Sequence, residues 1–325
     1  IGWARHPILA CNLQDTAFYP WLLQPFQFAR IKRWDYYAIF TPKRFFSVTI
    51  ADLGYAGNVF VYTLDFESKN LHEEGLVIPL GRGVTLSEQT TGRCEYHGQG
   101  VTIKFQTSTD TRDIFLDWPE FHAGRGIQAR ICLLQPVDHQ SMNIVIPIPK
   151  KRFYYNHKIN CLPATGYLKY GDLQEELRPD TSLGQLDWGR GVWEYSSFWN
   201  WASGSGFLPD GRVLGLNFGC GFGDTSAATE NAVILDGQVH KLDQVTFNYN
   251  PSNFMQTWKF QDNQGRIALD FLPFTDRIAT TKLLVIDSEV HQIFGHYTGY
   301  IITDHGEKIF IDGMIGFAEE HKARW

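Results

Sequence analysis

Apolar and polar residues alternate along much of this chain. Residues 45–52 read FFSVTIAD and residues 59–66 read VFVYTLDF. A period of two, carried by β-branched and aromatic residues, predicts strands. The same character predicts strands at 101–105, 127–134, 143–148, 212–218, 232–235, 267–271 and 309–312. Turn dipeptides punctuate them. Asp210-Gly211, Asp236-Gly237 and Asp312-Gly313 favour the positive φ of tight hairpins, and Asn263-Gln264-Gly265 and Asp304-His305-Gly306 suit longer loops. Helical periodicity is nearly absent, with only 172–177 and 180–186 fitting short helices. The pattern predicts an all-β, antiparallel protein.

A spaced repeat divides that β structure. Trp34-Asp35-Tyr36 followed by the strand from Arg44 matches Trp199-Asn200-Trp201 followed by the strand from Arg212, at offsets of 165 and 168 residues. Near-equal offsets are what a duplicated hairpin leaves behind. The expectation is two lipocalin-like antiparallel β-barrels packed together, with few short helices. The first spans 1–165 with an N-terminal extension, and the second spans 166–325. The stretch 163–184, rich in Gly, Pro and charge, reads as the connector.

Composition narrows the function. With 325 residues, 15% aromatic, the chain can bury a large core. A net charge of -6 removes the basic footprint that nucleic-acid binding needs. No apolar run approaches the roughly 18 residues of a membrane span, so no integral membrane segment is expected. The five scattered cysteines, Cys11, Cys94, Cys132, Cys161 and Cys220, show no zinc spacing and predict reduced thiols in a cytoplasmic protein. The eleven histidines form no close metal motif, so neither a metal nor another cofactor is expected.

Candidate chemistry concentrates in residues 186–224, LDWGRGVWEYSSFWNWASGSGFLPDGRVLGLNFGCGFGD. Trp188, Trp193, Trp199 and Trp201 interleave there with Asp187, Glu194 and Asn200. Polar groups woven through large aromatics suit a pocket with a few aimed hydrogen-bonding groups. They equally suit a barrel core whose indole N–H groups need partners. Asp187, Glu194 and Glu230 are the catalytic candidates. A carboxyl group against tryptophan is desolvated and holds a proton near neutral pH, which suits acid/base work. Asp35, Asp224 and Asp276 are further carboxylates of this kind, and ion pairs with Arg178, Arg190 or Arg277 are the structural alternative. Trp34, Tyr36, Trp188, Trp193, Trp199, Asn200, Trp201 and Asn231 are the expected ligand-binding residues. Cys220 lacks a basic neighbour in sequence to activate it.

Several strings carry a family resemblance. GWARHP at 2–7, KRWDYYAIF at 32–40, ADLGYAGNVFVYTLDF at 51–66, NFGCGFGDTSAATENAVILDGQVHKL at 217–242, DFLPFTDR at 270–277 and QIFGHYTG at 292–299 resemble the family of the domain of unknown function 2804. More distantly, the layout resembles the double-lipocalin proteins that include carotenoid hydratases and fungal cyclases. That resemblance implies an aromatic strand opening each barrel, matched by Trp34 and Tyr36 and by Trp199 and Trp201, and an Asp-Trp pair matched by Asp187 and Trp188. Asp35 stands where the first strand would show a second Trp, and Asn200 where the second would show Asp.

Three functions follow as expectations. The first is binding of a hydrophobic small molecule, isoprenoid- or polyketide-like, with cofactor-free hydration, isomerisation or cyclisation. The second is a non-catalytic carrier of such a ligand. The third is a carbohydrate-active enzyme working through paired carboxylates.

Overall fold

The computed structural model describes residues 2–283 and 286–325. It consists of two compact units. The N-terminal unit comprises His6–His139 and Tyr154–Val192, and the C-terminal unit comprises the segment ending at Arg5, Gln140–Phe153 and Trp193–Trp325. Each holds one curled antiparallel sheet, a half-barrel, and the chain is almost entirely β.

In the N-terminal unit the strands lie in the order Leu71–Pro79, Ala56–Asp65, Arg44–Asp52, Lys32–Phe40, Leu183–Gly191, Arg152–Tyr170, Ile127–Leu134, Thr111–Trp118, Val101–Thr107, Gly92–Gly98 and Val84–Thr85. Alternation along each strand separates two faces. Val48, Ile50, Val59, Val61, Ile103 and Leu133 on one face are fully buried and form the core. Tyr37 meets Phe105 edge-on at 4.7 Å although their strands are far apart in the sheet order, so the sheet curls around this face.

In the C-terminal unit the order is Gln238–Lys241, Ala232–Leu235, Val213–Cys220, Ser196–Phe207, Lys308–Arg324, Ile286–Ile302, Ile267–Leu283, Trp258–Asp262 and Val245–Asn248. Leu214, Leu216, Phe218, Trp258, Phe260, Phe271, Ile293, Tyr297 and Ile311 fill the concave side. Phe218 packs on Phe260 at 5.9 Å across non-adjacent strands, which again marks a curl.

The topology repeats, as the sequence offset predicts. Lys32–Phe40 lies between the following strand, Arg44–Asp52, and the last long strand of its unit, Leu183–Gly191; Ser196–Phe207 lies in the same way between Val213–Cys220 and Lys308–Arg324.

Four expectations need correction. The segments 172–177 and 180–186 are not helical: Leu173–Leu177 is a strand paired with Gly166 to Tyr170, and 180–186 turns into Leu183–Gly191. Five residues cannot nucleate a helix against a waiting backbone ladder. Among the described residues the helical turns are the 3-10 turns Leu13–Asp15 and Gln24–Arg30, while Phe121–Gly124 is a tight turn with His122 and Ala123 at positive φ. Nor is 163–184 a free connector, because it is woven into the N-terminal sheet. Its Gly166, at φ +110, lets Arg130 pass so close that a Cβ would stand 2.0 Å from the Arg130 carbonyl oxygen. Asp312-Gly313 forms a bulge inside Lys308–Arg324, opposite the register shift between Tyr297 and Gly299, whereas Asp236-Gly237 makes the expected two-residue hairpin turn. The division expected at 165/166 falls inside Arg152–Tyr170, and the chain passes between units after Arg5, His139, Phe153 and Val192.

Candidate functional site

Four adjoining strands of the N-terminal unit place a polar row on the face opposite the core. The register sets Thr49 beside Tyr36, Tyr36 beside Asp187, and Asp187 beside Lys158. The flanking rows add Ser47 and Tyr62 on one side and Trp34, Gly189 and Asn156 on the other. Asn156 Nδ2 donates to Asp187 Oδ1 at 2.6 Å, and Lys158 Nζ reaches Asp187 Oδ2 at 3.4 Å. The Tyr36 and Tyr62 hydroxyls bond each other at 2.9 Å. Trp34 lies across Gly189, where a Cβ would stand 2.4 Å from the indole.

This face is buried, yet not saturated. Ser47 Oγ, Thr49 Oγ1 and Asn156 Oδ1 are buried with no hydrogen-bond partner among the described residues. Buried polar atoms are paired in the great majority of cases, so three orphans on one face ask for an external partner.

The core side carries different chemistry. Asp187 and Trp188 are consecutive on a strand and point to opposite faces, so Trp188 does not desolvate Asp187 as expected from their adjacency. Trp188 instead stacks under the Arg190 guanidinium at 3.8 Å, and Arg190 pairs with Asp35 at 2.7 Å. His157, beside Trp188 in the register, is fully buried and neither ring nitrogen has a partner among the described residues. Burial, with Arg112 adding to it, pushes its pKa well below the usual range, so it is neutral.

The C-terminal unit repeats these rows with other residues. Where the N-terminal unit has Asp35, Trp188 and His157, it has Asn200, Glu320 and His291. Where the N-terminal unit has Tyr36, Asp187 and Lys158, it has Trp201, Glu319 and Gln292. Asn200 Nδ2 donates to the Tyr249 hydroxyl at 3.1 Å, and that hydroxyl donates to Glu320. Asp276 holds His291 Nδ1 at 2.9 Å. Trp201 Nε1 donates to Asn217 Oδ1 at 2.9 Å, and Asn217 Nδ2 donates in turn to Glu230 Oε2 at 3.2 Å. Trp199 Nε1 donates to Glu319 Oε1 at 3.2 Å.

The remaining candidates are structural in their contacts. Glu194 is more than half exposed and meets Arg152 at 3.4 Å. Trp193 packs edge-on against Phe222 at 5.4 Å. Asn231 accepts from the Gly219 N–H and donates to the Asp243 carbonyl, both at 2.8 Å, which ties two loops together. Of the three carboxylates singled out by sequence, Asp187 lies in the N-terminal unit and Glu194 and Glu230 in the C-terminal one. Cys220, with a thiol pushed up to about 11 by burial and then by Glu230, is no nucleophile.

Sequence reasoning missed Asn156, Lys158, Ser47, Thr49, Tyr62 and Glu319. One signal was present: Asn156, Lys158 and Asn160 recur every second residue, the mark of a polar strand face.

Over residues 1–325 the chain matches the family described as domain of unknown function (DUF2804). It belongs to the DUF2804 family. No curated protein matches this DUF2804 chain by sequence. Among solved structures it is similar to CghA with Sch210972, at 10% identity and a TM-score of 0.53, covering 90% of this chain and 88% of that one. It is also similar to kievitone hydratase from Nectria haematococca, at 10% identity and a TM-score of 0.49, covering 90% and 88%. A putative AttH from Nitrosomonas europaea matches at 12% identity and a TM-score of 0.48, covering 90% and 92%. These are double-lipocalin-like proteins, and the likeness to CghA gives the DUF2804 chain a lipocalin-like fold.

Proposed function

We propose that this protein binds a hydrophobic small molecule, isoprenoid- or polyketide-like, against the Trp34–Tyr36–Tyr62 face, and that Asp187 moves a proton on it without a cofactor. The observation that carries this reading is the buried Asp187–Asn156–Lys158 network sharing one sheet face with three unpartnered polar atoms. The CghA structure, solved with Sch210972, supports a ligand-binding use of the fold.

With Lys158 as counter-ion, Asp187 meets the ligand as a carboxylate. It takes a proton from carbon and returns it at another carbon, which is an isomerisation or cyclisation, or it takes a proton from water as the hydroxide adds to a conjugated alkene and then returns that proton to the carbon that has gained the electron pair. Lys158 and Asn156 keep the carboxylate in place. Tyr36 and Tyr62 offer hydroxyls to a carbonyl or enolate oxygen, and Trp34 offers an aromatic wall to cationic character. A carrier uses the same aromatic face without the proton step.

Native mass spectrometry of the purified chain should show a co-purified apolar molecule. Asp187→Asn should keep that molecule bound but stop its conversion, because the amide preserves shape and cannot accept the proton. Conversion at the wild-type rate would remove Asp187 from the chemistry. Absence of conversion by the wild type, with binding intact, would leave the carrier reading.

A further inference from the structure

The segment before the first long strand of the N-terminal unit is unusually apolar at its surface. Trp21, Leu22, Leu23, Phe26 and Phe28 are 76%, 64%, 53%, 67% and 58% exposed. Single exposed apolar residues are ordinary, but five within eight positions are not. The segment is built and pinned rather than loose. Pro20 and Pro25 fix its turns, Gln24–Arg30 is a 3-10 helix, and Leu23 N–H bonds the Pro20 carbonyl at 2.8 Å. At its far end Phe28 sits so tightly on the turn at Gly54 that a Cβ there would lie 2.1 Å from the Phe28 carbonyl oxygen. Lys32 Nζ closes the anchor on the Leu53 carbonyl at 2.6 Å.

We infer that this segment is a bilayer-docking loop, which inserts Trp21, Leu22, Leu23 and Phe26 into the interface of a lipid membrane. Two observations choose lipid over another occupant. The first is the fate of the polar groups. Gln27 turns inward, accepting from the Phe18 N–H at 3.2 Å and donating to the Thr16 carbonyl at 2.9 Å, and the backbone bonds itself through the Phe26 and Ile31 N–H groups. An apolar tip whose recorded hydrogen bonds stay within its own segment suits a medium poor in hydrogen-bonding partners, whereas protein interfaces pair such groups across the contact. The second is charge. From Thr16 to Trp34 there is no acidic residue in a chain of net charge -6, and Arg30 flanks the tip. Tryptophan beside leucine and phenylalanine, flanked by a cation, is the composition of interfacial anchors.

The placement deepens the proposed function and rests on it for its purpose. The loop leads within a few residues into Trp34 and Tyr36, so a ligand dissolved in a bilayer would have a short route to the candidate face.

The test is sedimentation of the whole chain with phosphatidylcholine vesicles and with mixed phosphatidylcholine–phosphatidylglycerol vesicles, without added ligand. The wild type should sediment with vesicles. A Trp21→Ser, Leu22→Ser, Phe26→Ser variant should show a bound-to-free ratio lower by about tenfold or more, because burial of these side chains drives the docking. Its thermal unfolding should match the wild type, since all three side chains are exposed. Asp187→Asn should bind vesicles like the wild type, so failure of the catalytic reading leaves this result standing. A wild type that stays in the supernatant with both vesicle types would overturn the inference. So would unchanged binding by the triple variant, or a wild-type dimer in size-exclusion chromatography that the variant abolishes while vesicle binding is absent.

Discussion

Arg190 has a side chain with no solvent exposure, and every one of its recorded bonds is internal. It donates to the Trp34 carbonyl at 2.7 Å, to the Ser87 carbonyl at 2.9 Å and to Asp35 at 2.7 Å, above the Trp188 ring. Removing one partner of such a pair strands the other charge in a low-dielectric interior, at a cost of about 3–5 kcal/mol. Arg190→Met should therefore lower unfolding free energy by about that amount in urea titration, and Asp35→Asn with Arg190→Met together should recover part of it. A single-variant loss below about 1 kcal/mol would show the pair to be solvated. At the candidate face the cost has a functional form. Lys158→Met removes the counter-ion recorded for Asp187 and should impair both folding and conversion of ligand, whereas Lys158→Arg should restore most stability.

Strands explain which parts of this molecule a sequence reader can see. The strands at 127–134 and 232–235 match Ile127–Leu134 and Ala232–Leu235 at both ends, because apolar residues there alternate or run unbroken between clear turn residues. Of the long strands, Ile267–Leu283 and Lys308–Arg324 were legible only as the fragments 267–271 and 309–312, and Arg152–Tyr170 and Ile286–Ile302 not at all, since glycines, prolines and bulges interrupt their pattern. Register was invisible altogether. Asp187 and Trp188 look like neighbours in sequence and are separated by the sheet, while Asp187 and Lys158 are distant in sequence and adjacent in the ladder. Glycine is the element-scale test. Gly189→Ala would drive a methyl into the Trp34 indole, so it should displace that ring and weaken ligand retention in native mass spectrometry. Gly166→Ala would put a methyl against the Arg130 carbonyl at a positive φ. It should destabilise the N-terminal unit by a few kcal/mol, read as a lower urea midpoint.

At the scale of the whole molecule, buried histidines set the response to acid. His321 is held neutral, its pKa brought down to about 3 by burial and then by Arg277, while Ser288 bonds its Nε2 at 2.8 Å and Glu319 stands 3.9 Å from its Nδ1. His157 is also pushed well below its usual range, and His139 and His240 are lowered, in each case chiefly by burial. Below the unfolded value of about 6.5 the unfolded chain takes up protons that the folded chain refuses, so stability falls as pH falls. By about pH 5 His321 alone should account for about 2 kcal/mol. Urea midpoints at about pH 7.5 and about pH 5 should differ clearly, and His321→Gln should reduce the difference; equal midpoints would contradict the assignment. The interleaving of the two units has a separate consequence, for the order of events during synthesis. The strand Gly2–Ala4 pairs with Met142–Ile148, and both belong to the unit completed by Trp193–Trp325. Residues 2–4 are thus synthesised long before the strands that complete their unit. A chain stopped at Val192 would hold every segment of one unit and two stray pieces of the other, which a nascent-chain protease assay would reveal as cleavage confined to those pieces.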